Sequence, residues 1–456
     1  MDWLSVLPPV VAIAVVIWRK EVILALFAAI FTSEVLLLGA SSWYSPLLGA
    51  LGAIDRITAV FSSASNTRIL MFSLLIGALL AYLRYSGGVT ALVDFLINNK
   101  LTRSRRQAGL LSFGVGVVLF IESNLSILTS GILSRGIYDR FGLSRERLAY
   151  VIDSTAAPIS ILLLFNGWGA YVLGLLDGYD LGNQVQILIG SVALNFYAWI
   201  ALAIVLFTII TDKVHGPMRT VDAKTRTAAE IPPEYAPSKP RFMLVPLAVL
   251  IIGIFGFMWW TGNGVLINGD GARSILYATI LASCTAYVMM LASKRFTHIK
   301  LVKIGFSGMS DLLPLVSIVL LSLALGASLK ELGTGAYIAG LADDNLPRVL
   351  IIPMLFAAGA LMSFTTGTSW GTFALLIPIG VPLIQNLGLP PSLVLSAILG
   401  GGVFGDHCSP ISDTSVVSAL AAGCDLLDHV RTQLPYALFG GVLAFGFYLI
   451  ASLFLL

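Results

Sequence analysis

The sequence predicts an all-α polytopic membrane protein made of two inverted-topology repeats, each with a re-entrant hairpin and a broken transmembrane helix. Three observations carry that expectation. Of 456 residues, 57% are hydrophobic and only 11% charged. Long apolar stretches recur along the whole chain between short basic loops. Two similar runs of polar residues interrupt apolar sequence, one in each half. A soluble globular chain carries about 25% charged residues, so this chain cannot cover itself with polar surface.

The apolar segments fall near 4–18, 21–39, 69–85, 107–134, 148–175, 185–211, 242–260, 274–292, 311–330, 349–386, 392–423 and 434–456. The first runs into Arg19-Lys20 without a basic leader or cleavage site, so it reads as a retained helix. Segments 107–134 and 349–386 have polar middles and read as hairpins that enter and leave on one side. With both so treated, 22 of the 27 Lys and Arg gather on one face, leaving Arg56, Arg68, Arg273, Lys330 and Arg348 on the other. The positive-inside rule then places the N- and C-termini outside. Residues 212–241 are basic, hold five prolines and read as a cytoplasmic linker between a first repeat at 1–211 and a second at 242–456.

Local sequence supports the repeat. AYLRYSGG (81–88) stands where SLKELGTG (328–335) stands in the second half, and LFIESNLSILTSG (119–131) parallels SFTTGTSWGTFAL (363–375). FGLSRERLAY (141–150) parallels LGLPPSLVLS (387–396). DSTAAPIS (153–160) and GDHCSPIS (405–412) both end in Pro-Ile-Ser. The hairpins enter from opposite faces under this topology, so the halves are inverted. Inverted repeats with interrupted helices mark transporters, with the site near the midplane.

Five acids lie inside apolar segments: Glu34, Glu122, Asp153, Asp406 and Asp413. A charge at the bilayer centre costs roughly 3 kcal/mol, so these must be protonated, cation-bound or wet. Pro158 and Pro410 are expected to break the interrupted spans at 148–175 and 392–423, and Gly405 to permit a further bend. Each break frees backbone carbonyls at a depth where only a protein-lined or wet cavity tolerates them. Carbonyls, hydroxyls and carboxylates are hard donors that suit sodium, while exposed helix N-termini suit a substrate carboxylate. The hairpin tips add Glu122, Ser123, Asn124 and Ser126 on one side and Thr365, Thr366, Thr368, Ser369 and Thr372 on the other. Gly367 and Gly371 allow close backbone approach there. Asn166, in FNGWGAY, offers donors useful to an organic solute, and His407 reads either as a proton carrier or as a neutral hydrogen bonder. His429, among Asp425, Asp428 and Arg431, reads as part of a solvated cap or gate, and Glu34 as the partner of a neighbouring helix.

Several classes fall away. The basic residues sit between spans, which is no nucleic-acid signal. Cys284, Cys408 and Cys424 form no metal-ligand spacing and read as packing residues. The chain has four histidines and no HExxH or GxSxG, so an intramembrane enzyme is not expected.

At DSTAAP (153–158), GVFGDHCSPISDT (402–414) and DHVRTQLPYAL (428–438) the chain resembles the NhaC-type sodium/proton antiporter family, within the ion transporter superfamily. RGIYDRFGLSRERLAYVIDSTAAPIS (135–160) and TTGTSWGTFAL (365–375) extend the resemblance. It implies a scaffold, an elevator-like transport domain carrying hairpins and broken helices, a homodimer, and a prokaryotic plasma membrane. It assigns ion binding to Asp153, Ser154, Thr155, Asp406, Ser409, Asp413, Thr366 and Thr368. The remaining tip residues Glu122, Ser123, Asn124, Thr365, Gly367 and Ser369, with Asn166 and His407, are candidates for contact with a solute. One departure stands out: family members often carry two adjacent aspartates after the first-hairpin aromatic, whereas Phe120 here precedes Ile-Glu-Ser-Asn.

The expected function is secondary active sodium/proton antiport on midplane carboxylates, with no cofactor and no metal beyond sodium. The alternative cargo is a small organic solute, a carboxylate or amino acid, coupled to sodium or protons.

Overall fold

The computed structural model describes residues 3–19, 21–39, 44–88, 91, 103–120, 123–164, 166–177, 179, 181–222 and 238–456. These residues are helical throughout, apart from turns. Among the described residues, eight helical spans, with Gln184–Thr211 taken as one, are long and apolar enough to cross a membrane, and one bent pair brings the number to nine. The first two helices, α1 (Leu7–Arg19) and α2 (Val22–Leu37), are 13 and 16 residues long. At 1.5 Å per residue they reach about 20 and 24 Å, short of a ~30 Å hydrocarbon core.

The second helix carries Glu34, which is buried against α3 (Ser45–Ala59) and α15 (Leu313–Leu332). Arg56 Nε donates to Glu34 Oε1 at 2.7 Å and Ser328 Oγ donates to the same oxygen at 2.8 Å. The acid is therefore held in a structural ion pair. Between these elements run α4 (Ala64–Tyr85) and the first hairpin, α5 (Arg105–Val118) and α6 (Ser123–Arg140). Then follow α7 (Arg145–Leu162), α8 (Gly167–Asp177), α9 (Gln184–Leu194) and α10 (Phe196–Thr211).

Pro158 does not break its span. It lies inside α7, which is buried along its whole length, and the chain bends by 47° only beyond Leu162. Packing on every side holds the helix through the proline, and the break falls where Asn166 can finish it. The Asn166 Nδ2 donates to the carbonyls of Ser160 at 2.7 Å and Phe120 at 3.0 Å. Its Oδ1 accepts from the amides of Trp168 at 2.9 Å and Gly169 at 3.2 Å, capping α8. Expected to meet a solute, Asn166 instead ties the end of α7 to the start of α8 and to the first hairpin.

The segment read as a linker is partly folded: α11 (Pro217–Asp222) docks on α7. Asp222 accepts from Arg105 at 3.1 Å, Arg147 at 3.3 Å and the Ser144 amide at 2.8 Å. Residues 223–237 lie outside the described set. The second half runs α12 (Arg241–Thr261), α13 (Gly271–Ala292), α14 (His298–Asp311), α15 and α16 (Thr334–Asn345). A second hairpin follows, α17 (Arg348–Thr366) and α18 (Ser369–Leu387), joined through Gly367 at φ +68°. Next come α19 (Pro391–Cys408) and α20 (Asp413–Ala422), separated by Ser409-Pro410-Ile411-Ser412, and the closing α21 (Leu426–Leu455).

Gly405 does not bend α19. A Cβ there would sit 2.8 Å from the Phe364 nitrogen and tighter still on the Ala360 carbonyl oxygen, so the glycine lets α17 and α19 touch backbone to backbone. Gly401 does the same against Phe356, which explains the glycine run as packing. At the C-terminus of α20, Arg135 donates to the carbonyls of Leu420 and Ala421 and Arg145 to that of Ala422, so buried cations from α6 and α7 cap this half-helix.

Candidate functional site

Both hairpin tips and both helix breaks converge on one cavity of about 260 Å³. Ser123 and Asn124 reach it from the first tip and Thr368 and Trp370 from the second. Gly167 and Trp168 begin α8 on its wall, and Asp406, Asp413 and Thr414 flank the α19–α20 break. The opposite wall comes from α4 (Ile76, Leu80) and the α14–α15 junction (Asp311, Leu312, Pro314, Leu315, Ile318).

Local geometry explains why these groups meet. Ser409 Oγ donates to the Phe364 carbonyl at 2.8 Å, and Gly367 lies directly on the Ile411 backbone, so the second tip is locked to the break. Only a residue without Cβ fits there with φ above zero. Ser369 Oγ donates to Asp406 Oδ2 at 2.9 Å. Asp406 is 1% exposed and its Oδ1 has no protein partner. Asp413, at the start of α20, accepts from the Thr414 amide at 3.0 Å and is exposed.

Asp153 lies apart from the cavity wall, at 0% exposure. Its Oδ2 accepts from Gln433 Nε2 at 2.7 Å and Ser415 Oγ at 3.2 Å, and pairs with His429 Nε2 at 3.2 Å. The second Gln433 N–H donates to the His407 carbonyl at 3.0 Å, and Ser154 Oγ meets Gln433 Oε1 at 3.5 Å. His429 is fully buried and is no solvated cap: the turn before α21 is wet, but the first turn of the helix drives this ring inward onto α7. His407 does not line the cavity and shares a 3.0 Å hydrogen bond with the Tyr197 hydroxyl.

Of the other candidates, Thr155 donates to its own helix at Val151 (2.6 Å), and Thr365 donates to the carbonyls of Leu361 and Met362. Thr366 turns toward the Thr368 backbone inside the tip. Glu122 lies outside the described residues. Sequence reasoning did not assign Gln433, Asp311 or the two tryptophans to the site, and it put His429 elsewhere. A signal existed for the tryptophans, since FNGWG and GTSWG both place Trp beside glycine at an interruption. Their rings lie 5.2 Å apart. Among the described residues no group of three or more His, Cys, Asp or Glu is arranged to hold a metal ion.

Comparison with known proteins agrees with this architecture. An uncharacterized protein of Haemophilus influenzae is 29% identical over 461 residues, covering 95% of this chain and 88% of its own. The malate-2H+/Na+-lactate antiporter of Bacillus subtilis is 39% identical over 88 residues, 19% of either chain. The crystal structure of the YdaH transporter of Alcanivorax borkumensis, described as having an unusual topology, superposes with a TM-score of 0.60 at 14% identity. That match covers 89% of this chain and 88% of YdaH and shows a shared fold. Residues 168–453, more than half of the chain, match the model of the Na+/H+ antiporter family. The chain therefore belongs to the Na+/H+ antiporter family, as a multi-pass membrane transporter.

Proposed function

We propose that the protein exchanges sodium for protons, with Asp406 and Asp413 as the cation-binding carboxylates. The observation that carries this reading is the cavity itself, which joins two acids from either side of one helix break to the hydroxyls of both hairpin tips. Asp406 has one oxygen held by Ser369 and one left over, so a proton or a sodium ion completes it, but not both together. A carboxylate that must lose its proton to bind a cation couples the two flows without further parts. Thr368, Ser123 and Thr414 supply further oxygens on the same wall. Asp153, paired with His429, is a second buried acid through which the proton can be held.

The reading extends to an elevator-like movement of the hairpins and broken helices against the α4 and α15 wall. It includes inverted repeats, termini on the outer face, a homodimer and a prokaryotic plasma membrane. The test is sodium-driven proton movement in sealed proteoliposomes, read by a pH-sensitive dye. Asp406→Asn is expected to abolish it; a fully active variant would remove the central residue.

A second reading keeps the fold and the coupling ion but makes the cargo a small organic solute. It is favoured by the cavity, whose volume of about 260 Å³ and pair of tryptophans exceed what a lone ion requires. The Bacillus subtilis relative, whose name couples sodium and protons to organic acids, agrees with that kind of coupling.

A further inference from the structure

We infer that the cavity between the hairpin tips and the α4–α15 wall takes a small organic solute bearing an ammonium group, and rejects carboxylate anions. The inference rests on the second reading above and names its cargo class. Four observations support it.

The first is charge. Asp311, Asp406 and Asp413 line the cavity, and no Lys, Arg or His does so among the described residues. A bound anion would face carboxylates from both walls. The second is the orphan acceptor: Asp406, buried to 1% exposure, presents an Oδ1 with no protein donor. A buried carboxyl oxygen left without a donor is costly, and an ammonium N–H supplies that donor together with a positive charge.

The third concerns the helix N-termini, which are the usual place for a substrate carboxylate. Two of those on this cavity are already used by the chain itself. The first amides of α8 donate to Asn166 Oδ1 at 2.9 and 3.2 Å. The first amides of α20 donate to Asp413 at 3.0 Å and Ser412 at 3.4 Å, and Asp413 adds a negative charge at that end. The fourth is the aromatic wall. Trp168 and Trp370 meet with centroids 5.2 Å apart at 52°, anchored where the Tyr171 hydroxyl donates to the Trp370 carbonyl at 3.0 Å. Indole faces attract organic cations. Sodium prefers hard oxygen ligands, so the indoles serve an organic cation better.

The experiment uses purified full-length protein in detergent and sodium-free buffer. Putrescine, lysine and choline are titrated, with succinate as the anionic probe, and thermal stabilisation and isothermal calorimetry are read. Sodium-22 binding is measured on the same preparation. At least one ammonium probe is expected to bind saturably and to compete with sodium, while succinate does not bind. Affinity is expected to fall at least tenfold in Asp406→Asn and several-fold in Trp370→Leu, with Trp370→Phe restoring most of it. Should Asp406→Asn fail to fold, Asp311→Asn on the opposite wall is expected to weaken the ammonium probe as well. Succinate binding, or no response to any ammonium probe while sodium-22 still binds, overturns the inference and leaves sodium/proton exchange standing. Loss of sodium-22 binding in the unmodified protein instead overturns the exchange reading.

Discussion

Gln433→Leu is the sharpest test of how the buried Asp153 is held. The substitution keeps most of the volume but removes both amide N–H groups. One of them makes the shortest hydrogen bond to Asp153, at 2.7 Å, and the other satisfies the His407 carbonyl at 3.0 Å. A hydrogen bond to a charged group contributes about 1.5–3 kcal/mol, and a buried polar group left without its partner costs about 1–3 kcal/mol. The sum expected for an ionised Asp153 is about 2.5–6 kcal/mol. Ser415→Ala removes a longer bond of 3.2 Å to the same oxygen and is expected to cost about 1–2 kcal/mol. The assay is unfolding by SDS titration in mixed micelles, with Asp153→Asn and the double variant closing a thermodynamic cycle. A coupling of at least about 1.5 kcal/mol between positions 153 and 433 is expected. Coupling near zero, or a larger loss in Ser415→Ala than in Gln433→Leu, would refute the view that Gln433 is the principal support of a charged Asp153.

Four further outcomes follow from the packing. Gly405→Ala drives a methyl into the α17 backbone beside Ala360 and Phe364, so it should cost about 1–3 kcal/mol or more and depress exchange by shifting Asp406 from Ser369. Gly446→Ala on α21, where a Cβ meets nothing within 4 Å, should be neutral or stabilising by about 0.5 kcal/mol in the same unfolding assay. Arg56→Ala strips the buried Glu34 of its cation; because Arg56 is itself partly exposed, the expected loss is about 2–3 kcal/mol, measured as lower thermal stability and partly recovered by Glu34→Gln. Arg135→Ala uncaps the C-terminus of α20 and should cost about 1–2 kcal/mol, with hydrogen exchange rising in residues 413–422 before it rises elsewhere.

Much of the site was legible because breakers and acids act locally. The polar middle of 349–386 becomes the Gly367 turn between α17 and α18, since a left-handed residue inside an apolar run has few other uses. Pro410 interrupts its helix beside Asp406 and Asp413, and both acids reach the cavity. The same local rule misplaced the first break. Proline at 158 lacks a donor just as Pro410 does, but the fully packed surroundings of α7 hold the helix together. The Asn166 amide looked available for a solute because its four partners are backbone groups that no residue-type pattern displays.

Composition and the spacing of interruptions alone determined that the chain is a helical membrane protein with acids buried near helix breaks. The cost of polar groups in hydrocarbon makes any such residue informative wherever it stands. Only tertiary structure decided which of those acids work together. Asp153 and His429 are 276 residues apart and meet because α21 packs on α7, while Asp406 finds its donor Ser369 across a second hairpin. Charges beside His429 suggested solvent, but burial is a property of the packed assembly. The three carboxylates of the cavity likewise come from α14, α19 and α20, and no reading of any one of those segments shows that their walls face each other.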